Sequence, residues 1–259
     1  VIVAAAKVGG ILPNMNQPAT FILENLKIQT NIIELAYINN VKRLLFLGSS
    51  CIYPKHSNQP IKEEYLLSGK LENTNQWYAI AKIAGIKLCQ SLRKQYNFDA
   101  ISLMPTNLYG PKDNYHPNNS HVMAALLKKF TDAKNFSSNS VTCWGTGKPL
   151  REFMHVDDLG EAVVFALEYW DPSDKDAPLD DNGEPLTHLN VGTGQEIKIF
   201  DLAKKISEYV GFRGEIIWDQ NKPDGMYRKL LNSDRINKLG WSSKIALNEG
   251  IKRTLNHIS

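Results

Sequence analysis

The sequence predicts a doubly wound α/β fold built on a parallel sheet, with a smaller α/β domain after it. Three observations carry this. Short apolar runs alternate with long helical segments through the first 111 residues. The runs are uninterrupted, as strands buried on both faces are. Two of them end in turn-forming residues, Gly48-Ser49-Ser50 and Pro105-Thr106-Asn107. Strand–helix–strand units of this length connect parallel strands through right-handed crossovers. Ligands of such sheets bind beyond the carboxyl ends of the strands. Residues 48–51 and 105–108 are therefore expected at a site.

Taken in order, residues 1–6 read as a buried strand and 18–40 as a helix. Residues 43–48 are the next strand, a short apolar run closed by Gly48. Residues 54–75, rich in Pro, Asn, Ser and Gly, read as a loop. A helix over 76–95 and a strand over 100–104 follow. The second half is less regular. Residues 114–120 are polar, 121–133 helical, and 151–156 a short strand whose following helix Asp157 is placed to cap. Residues 171–186 carry six acidic residues against one lysine and read as a solvated excursion. A strand over 187–191 and an amphipathic helix over 199–210 complete the pattern. Domain boundaries follow: 1–111 forms the first domain, with returning segments near 152–168 and 187–193, and 112–259 is mainly the second.

Composition excludes several classes. Apolar residues make up 42% and charged residues 22% of the 259, which is ordinary for a folded domain rather than a disordered chain. The formal charge of +3 is weak and dispersed, unlike a nucleic-acid-binding stripe. No apolar run approaches the ~20 residues of a membrane span. Three cysteines without a CxxC pair, and six histidines without HExxH spacing, predict neither a disulfide framework nor a metal site and fit the cytoplasm. The chain opens inside a strand signal, and a missing N-terminal segment is expected.

The chemistry begins with Tyr78 and Lys82. On a helix they share one face, and an ammonium beside a phenol lowers its pKa, giving an acid–base group. With ten tyrosines in the chain, about one such pair arises by chance. Context raises its value: Ser49 lies at a strand end, facing the same crevice. Strand-end serine followed by YxxxK is the layout of short-chain dehydrogenases/reductases. Leu47-Gly48-Ser49-Ser50-Cys51-Ile52-Tyr53-Pro54, residues 104–111 (MPTNLYGP) and residues 151–158 (REFMHVDD) extend the resemblance to the extended members that act on nucleotide sugars. Residues 4–11 (AAAKVGGI), 49–55 (SSCIYPK), 114–122 (NYHPNNSHV) and 222–225 (KPDG) resemble the GDP-L-fucose synthase family over nearly the whole chain.

That resemblance implies a Rossmann-type sheet whose first strands and GxxGxxG loop are absent from this chain. It implies NADPH as cofactor, GDP-4-keto-6-deoxy-D-mannose as substrate, and a homodimer built on helices 18–40 and 76–95. Catalytic roles fall to Ser49, Cys51, Tyr78, Lys82 and His121. Cys51 and His121 would be the acid and base of 3,5-epimerisation, in either order. Tyr78 would protonate the C4 alkoxide, Lys82 would lower the Tyr78 pKa and hold the nicotinamide ribose, and Ser49 would orient the ketone. Cofactor contacts fall to Leu47, Gly48, Ser49, Ser50, Lys82, Pro105, Thr106, Asn107, Leu108 and His121, with residues 4–6 near the adenosine. Substrate contacts fall to Lys129, Trp144, Arg151 and Asp224. Two other readings stay open: a different nucleotide-sugar enzyme such as a 4-epimerase with bound NAD, and a non-catalytic truncated relic.

Overall fold

The computed structural model describes residues 1–117 and 119–258; Asn118, within the polar segment singled out above, lies outside them. In chain order the elements are β1 (Ile2–Val3), α1 (Ile11–Asn16), α2 (Pro18–Ile38), β2 (Leu44–Leu47), α3 (Gln76–Tyr96), β3 (Ala100–Pro105), β4 (Asn107–Tyr109), α4 (Val122–Asn135), β5 (Ser140–Trp144), β6 (Leu150–His155), α5 (Val156–Tyr169), β7 (His188–Val191), β8 (Glu196–Lys198), α6 (Ile199–Val210), β9 (Glu215–Asp219), β10 (Arg228–Lys229), α7 (Asp234–Leu239) and α8 (Leu247–Leu255). Short 3₁₀ turns cover Ser50–Ile52 and Glu63–Tyr65.

The main sheet has the order β1-β2-β3-β7, all parallel. Its strands alternate sides. Leu44, Phe46, Ala100 and Met104 pack with Ile33 of α2 and Ile86 of α3. Leu45, Ile101, Leu103, Leu189 and Val191 pack with Leu159, Ala162 and Ala166 of α5 and with Trp170. Covered faces on both sides explain runs with no polar interruption. The helix α3 lies so close to β2 that a Cβ on Gly85 would fall 2.5 Å from the Phe46 ring. A third core, of Leu126, Phe130, Phe153, Leu202 and Ile206, joins α4 and α6 to a second group of strands. There β10, β6 and β4 run parallel, β8 is antiparallel to β6, and β5 pairs with β9. Among the described residues no helix is long and apolar enough to cross a membrane.

Several expectations are corrected. The first strand spans only two residues, and Ile2 is half exposed, because among the described residues β1 pairs with β2 alone. The helix expected over 18–40 is preceded by a separate α1, broken off where Pro18 begins α2. Asp157 does not cap α5: His155 does, its Nδ1 accepting from the Asp157 N–H, and Asp157 sits in the first turn. The returning segment near 152–168 divides, β6 joining the second strand group while α5 covers the main sheet. The acidic excursion is tied down, with Asp171 on Arg93, Asp181 on Lys62, and Leu186 buried.

One buried polar node fixes the 54–75 loop to the sheet. Glu63 is fully buried, accepts from the Asn190 N–H and pairs with Arg235. His188 lies beside it, Nε2 at 3.3 Å from the Glu63 carbonyl. Burial pulls the His188 pKa from 6.5 to about 4. A histidine held neutral in the fold and free to charge when unfolded costs stability as pH falls below about 6.5, the loss being complete near 4. Between pH 7 and 4.5 this histidine should remove roughly 2 kcal/mol. Urea unfolding at the two pH values should show a smaller acid loss in His188→Gln; parallel losses would contradict the assignment.

Candidate active site

A cleft of about 530 Å³ opens at the carboxyl ends of β2 and β3, between the main sheet and the second strand group. Such edges are where open α/β sheets bind ligands. Every residue given a catalytic, cofactor or substrate role lines this cleft, and of residues 4–6 Ala4 and Ala6 do while Ala5 does not.

At the sheet end, Ser49 leaves β2 in extended backbone, and its Oγ caps the turn at 50–52 by accepting from the Cys51 N–H at 3.2 Å. Ser49 is also hydrogen-bonded to the Tyr78 hydroxyl. Tyr78 and Lys82 share a face of α3, but the expected lowering of the phenol does not follow. Burial drives the Tyr78 pKa up, the neighbouring Cys51 adds to the rise, and Ser49 opposes it. The Lys82 ammonium instead donates to the Leu47 carbonyl at 2.8 Å and lies 5.9 Å from the Tyr78 ring centre. Burial pulls Lys82 down to about 8. A lysine has three N–H donors, so two remain for a ligand hydroxyl. A Cβ on Gly48 would collide with Met104, which keeps the chain tight where residues 47–50 and 105–108 meet.

Cys51 is half-buried and takes a hydrogen bond from Lys229 Nζ at 3.8 Å. His121 opens α4 on the cleft wall. Its ring is reachable from the cleft yet hemmed in by protein, and this desolvation lowers its pKa; Asp113 opposes the shift and Lys229 adds to it. Cys51 and His121 thus share Lys229 as a neighbour.

At the other end, Lys129 Nζ donates to the Thr142 carbonyl and stands 5.1 Å from the Trp144 ring centre, with Lys222 at 5.4 Å. Arg151 donates to the carbonyls of Leu150, Tyr227 and Asp224. Asp224 differs from expectation: its carboxylate already accepts from the Thr146 N–H and hydroxyl at 2.8 and 2.7 Å. It pins the 220–227 loop to the turn after β5. Sequence reasoning missed Lys229, Asp113 and Lys222. Lys222 sat in the KPDG motif, from which only Asp224 was assigned a role, and Lys229 reaches Cys51 across 178 residues.

The fold and cleft define a nucleotide-dependent enzyme of the extended short-chain type. Residues 1–182 match the model of the NAD dependent epimerase/dehydratase family, and the chain belongs to that family. It is 54% identical to "Probable GDP-L-fucose synthase 1" of Oryza sativa subsp. japonica, covering 98% of this chain and 74% of that protein. It is 50% identical to the GDP-L-fucose synthase of Escherichia coli (strain K12), covering 98% and 78%. Among solved structures, a GDP-6-OMe-4-keto-L-xylo-heptose reductase from C. jejuni superposes with a TM-score of 0.89 at 37% identity, over 99% of this chain and 81% of that one.

Proposed function

We propose that this chain is an oxidoreductase and epimerase that converts GDP-4-keto-6-deoxy-D-mannose to GDP-L-fucose, using NADPH. The observation that carries this reading is the meeting of Ser49, Tyr78 and Lys82 with Cys51 and His121 in one cleft. The first three suit reduction of a carbonyl. The second two suit proton exchange at carbons beside it. C3 and C5 both flank the C4 ketone, so loss of either proton gives an enolate, and inversion needs one group to take a proton and another to return it. Cys51 and His121 fill those roles.

Reduction then falls at C4. NADPH supplies the hydride when bound, and residues 47–50, Lys82, 105–108 and His121 would hold it. The two free donors of Lys82 fit ribose hydroxyls. Ser49 orients the ketone oxygen. Tyr78 gives its proton to the oxygen as it becomes an alkoxide. Its raised pKa keeps the phenol protonated at neutral pH, which is the form a proton donor needs. Lys129 and Arg151 supply positive charge for the diphosphate, Trp144 a flat apolar face, and Asp224 holds the loop that closes this end. With GDP-4-keto-6-deoxy-D-mannose supplied, NADPH loss should match GDP-L-fucose formed one for one. Folded protein that consumes no NADPH and leaves the sugar unchanged would sink the reading.

Lys82 sets a pH limit. Through about pH 8 its ammonium loses the proton, and the charge beside the cofactor ribose goes with it. The kcat/KM for NADPH should fall above about pH 8. Lys82→Arg, which stays charged, should move that limb upward whatever its absolute rate; an unmoved limb would contradict the assignment.

The division at residue 111 is taken as a cofactor-binding unit and a GDP-sugar-binding unit. Helices α2 and α3 pack on each other and leave Leu23, Leu35, Ile38, Trp77 and Ile80 exposed, an apolar surface that suits an isologous dimer. Light scattering should give twice the 29.2 kDa chain mass and a monomer for Leu35→Asp with Ile38→Asp; a monomeric wild type would remove the dimer. Three free cysteines, two of which, Cys51 and Cys143, line the cleft, fit the reducing cytoplasm.

A further inference from the structure

Lys229 is a buried lysine, 8% exposed, with no carboxylate paired to it among the described residues. A buried cation without a paired carboxylate is open to an anionic group formed beside it. β10 is only two residues long, and its register sets Lys229 beside Arg151 on β6. From there its ammonium donates to Cys51 Sγ at 3.8 Å. Tyr78, Arg151 and Lys229 face Cys51 from three elements. Tyr78 on α3 carries no charge at neutral pH, and Arg151 on β6 is cationic. Arg151 is itself within reach of the charges on Asp224 and Glu72, and Glu72 is already paired with Lys55 at 3.0 Å. Lys229 is also near enough to His121 for its charge to be felt there, as is Asp113. Lys229 is thus the cation in direct contact with the sulfur.

We propose that Lys229 is the positioning residue for Cys51: its ammonium holds the sulfur and balances the negative charge that Sγ carries whenever the thiol has given up its proton. The inference rests on the proton-transfer role proposed above for Cys51 and goes beyond it. A proton carrier must pass through its charged form. A thiolate formed in a cleft needs a counter-charge within a few ångströms. The same cation next to His121 disfavours a second positive charge there. One cation thus stands between the sulfur and the imidazole.

The test is the rate at which iodoacetamide alkylates Cys51, read by mass spectrometry of its peptide, across pH 6–10. Cys89 and Cys143 are buried and serve as internal references. In Lys229→Met the rate at pH 7 should fall at least about tenfold, and the gap should close at high pH, where the thiolate forms unaided. Lys229→Arg should stay within about threefold of wild type, because it keeps the charge. Lys229→Gln replaces the methionine variant if that one does not fold. Equal rates in neutral variant and wild type at every pH would overturn the proposal, as would an arginine variant that falls as far as the methionine one. Solvent deuterium entering C3 and C5 should drop in the neutral variant. Alkylation needs no substrate, so its failure refutes the Lys229 role alone. Absence of deuterium exchange in wild type would instead refute the functional reading.

Discussion

Tyr78→Phe should lower the rate of C4 reduction by about 10²- to 10⁴-fold, the usual worth of a positioned proton donor. The substitution removes one oxygen from a half-buried ring hydrogen-bonded to Ser49, so the fold should persist. The proton that becomes the product hydroxyl then has no source at the right distance, since Lys82 is held on the Leu47 carbonyl. Exchange of the C3 and C5 protons with solvent should continue, because Cys51 and His121 are untouched. Single-turnover hydride transfer followed at the NADPH absorbance, with deuterium exchange read on the sugar, checks both halves. Equal losses of reduction and exchange would contradict the division of labour.

Cys51→Ser and His121→Asn should do the reverse. A serine hydroxyl ionises far less readily than a thiol, and an asparagine amide does not titrate in this range. Either variant should slow deuterium entry at C3 and C5 by about 10²-fold or more. The reverse hydride step, from GDP-L-fucose to NADP, involves C4 alone and should keep most of its rate. That comparison separates the two steps without needing the epimerised intermediate. Parallel losses in both directions would mean that Cys51 and His121 serve the cleft's shape rather than its proton chemistry.

The sheet was legible because its strands are covered on both sides. Leu44-Leu45-Phe46-Leu47 sends alternate residues to two different cores, and that leaves an unbroken apolar run to read. Helix α6 was legible to the residue at both ends. Its amphipathic face packs on one core, and Gly211 takes the left-handed conformation that stops it. Where the reading failed, the deciding contact was distant or the competition local. The opening apolar run looked buried, but only Val3 has neighbours on the core side. His155 displaced Asp157 as cap because helical backbone begins at Val156, two positions earlier than a cap at Asp157 requires.

The site divides in the same way. Ser49, Tyr78 and Lys82 could be found because strand-end position and helical spacing are local properties. Cys51 and His121 had meaning only through resemblance. Lys229 gave no signal at all: a two-residue strand has no periodicity, and its partner sulfur is brought to it by the pairing of β10 with β6. The expected pull of Lys82 on Tyr78 failed for an energetic reason. Spacing on a helix places two side chains on one face, but the nearest acceptor, here the Leu47 carbonyl, decides where the ammonium goes.

The central claim is that one cleft performs both proton exchange and reduction. The most direct test is to run the complete reaction in deuterium oxide with protiated NADPH and locate the label in the product by NMR. The account predicts GDP-L-fucose with deuterium at C3 and C5 and protium at C4. A reduced sugar that keeps protium and its original configuration at C3 and C5 would show a reductase alone, and would contradict the roles given to Cys51 and His121.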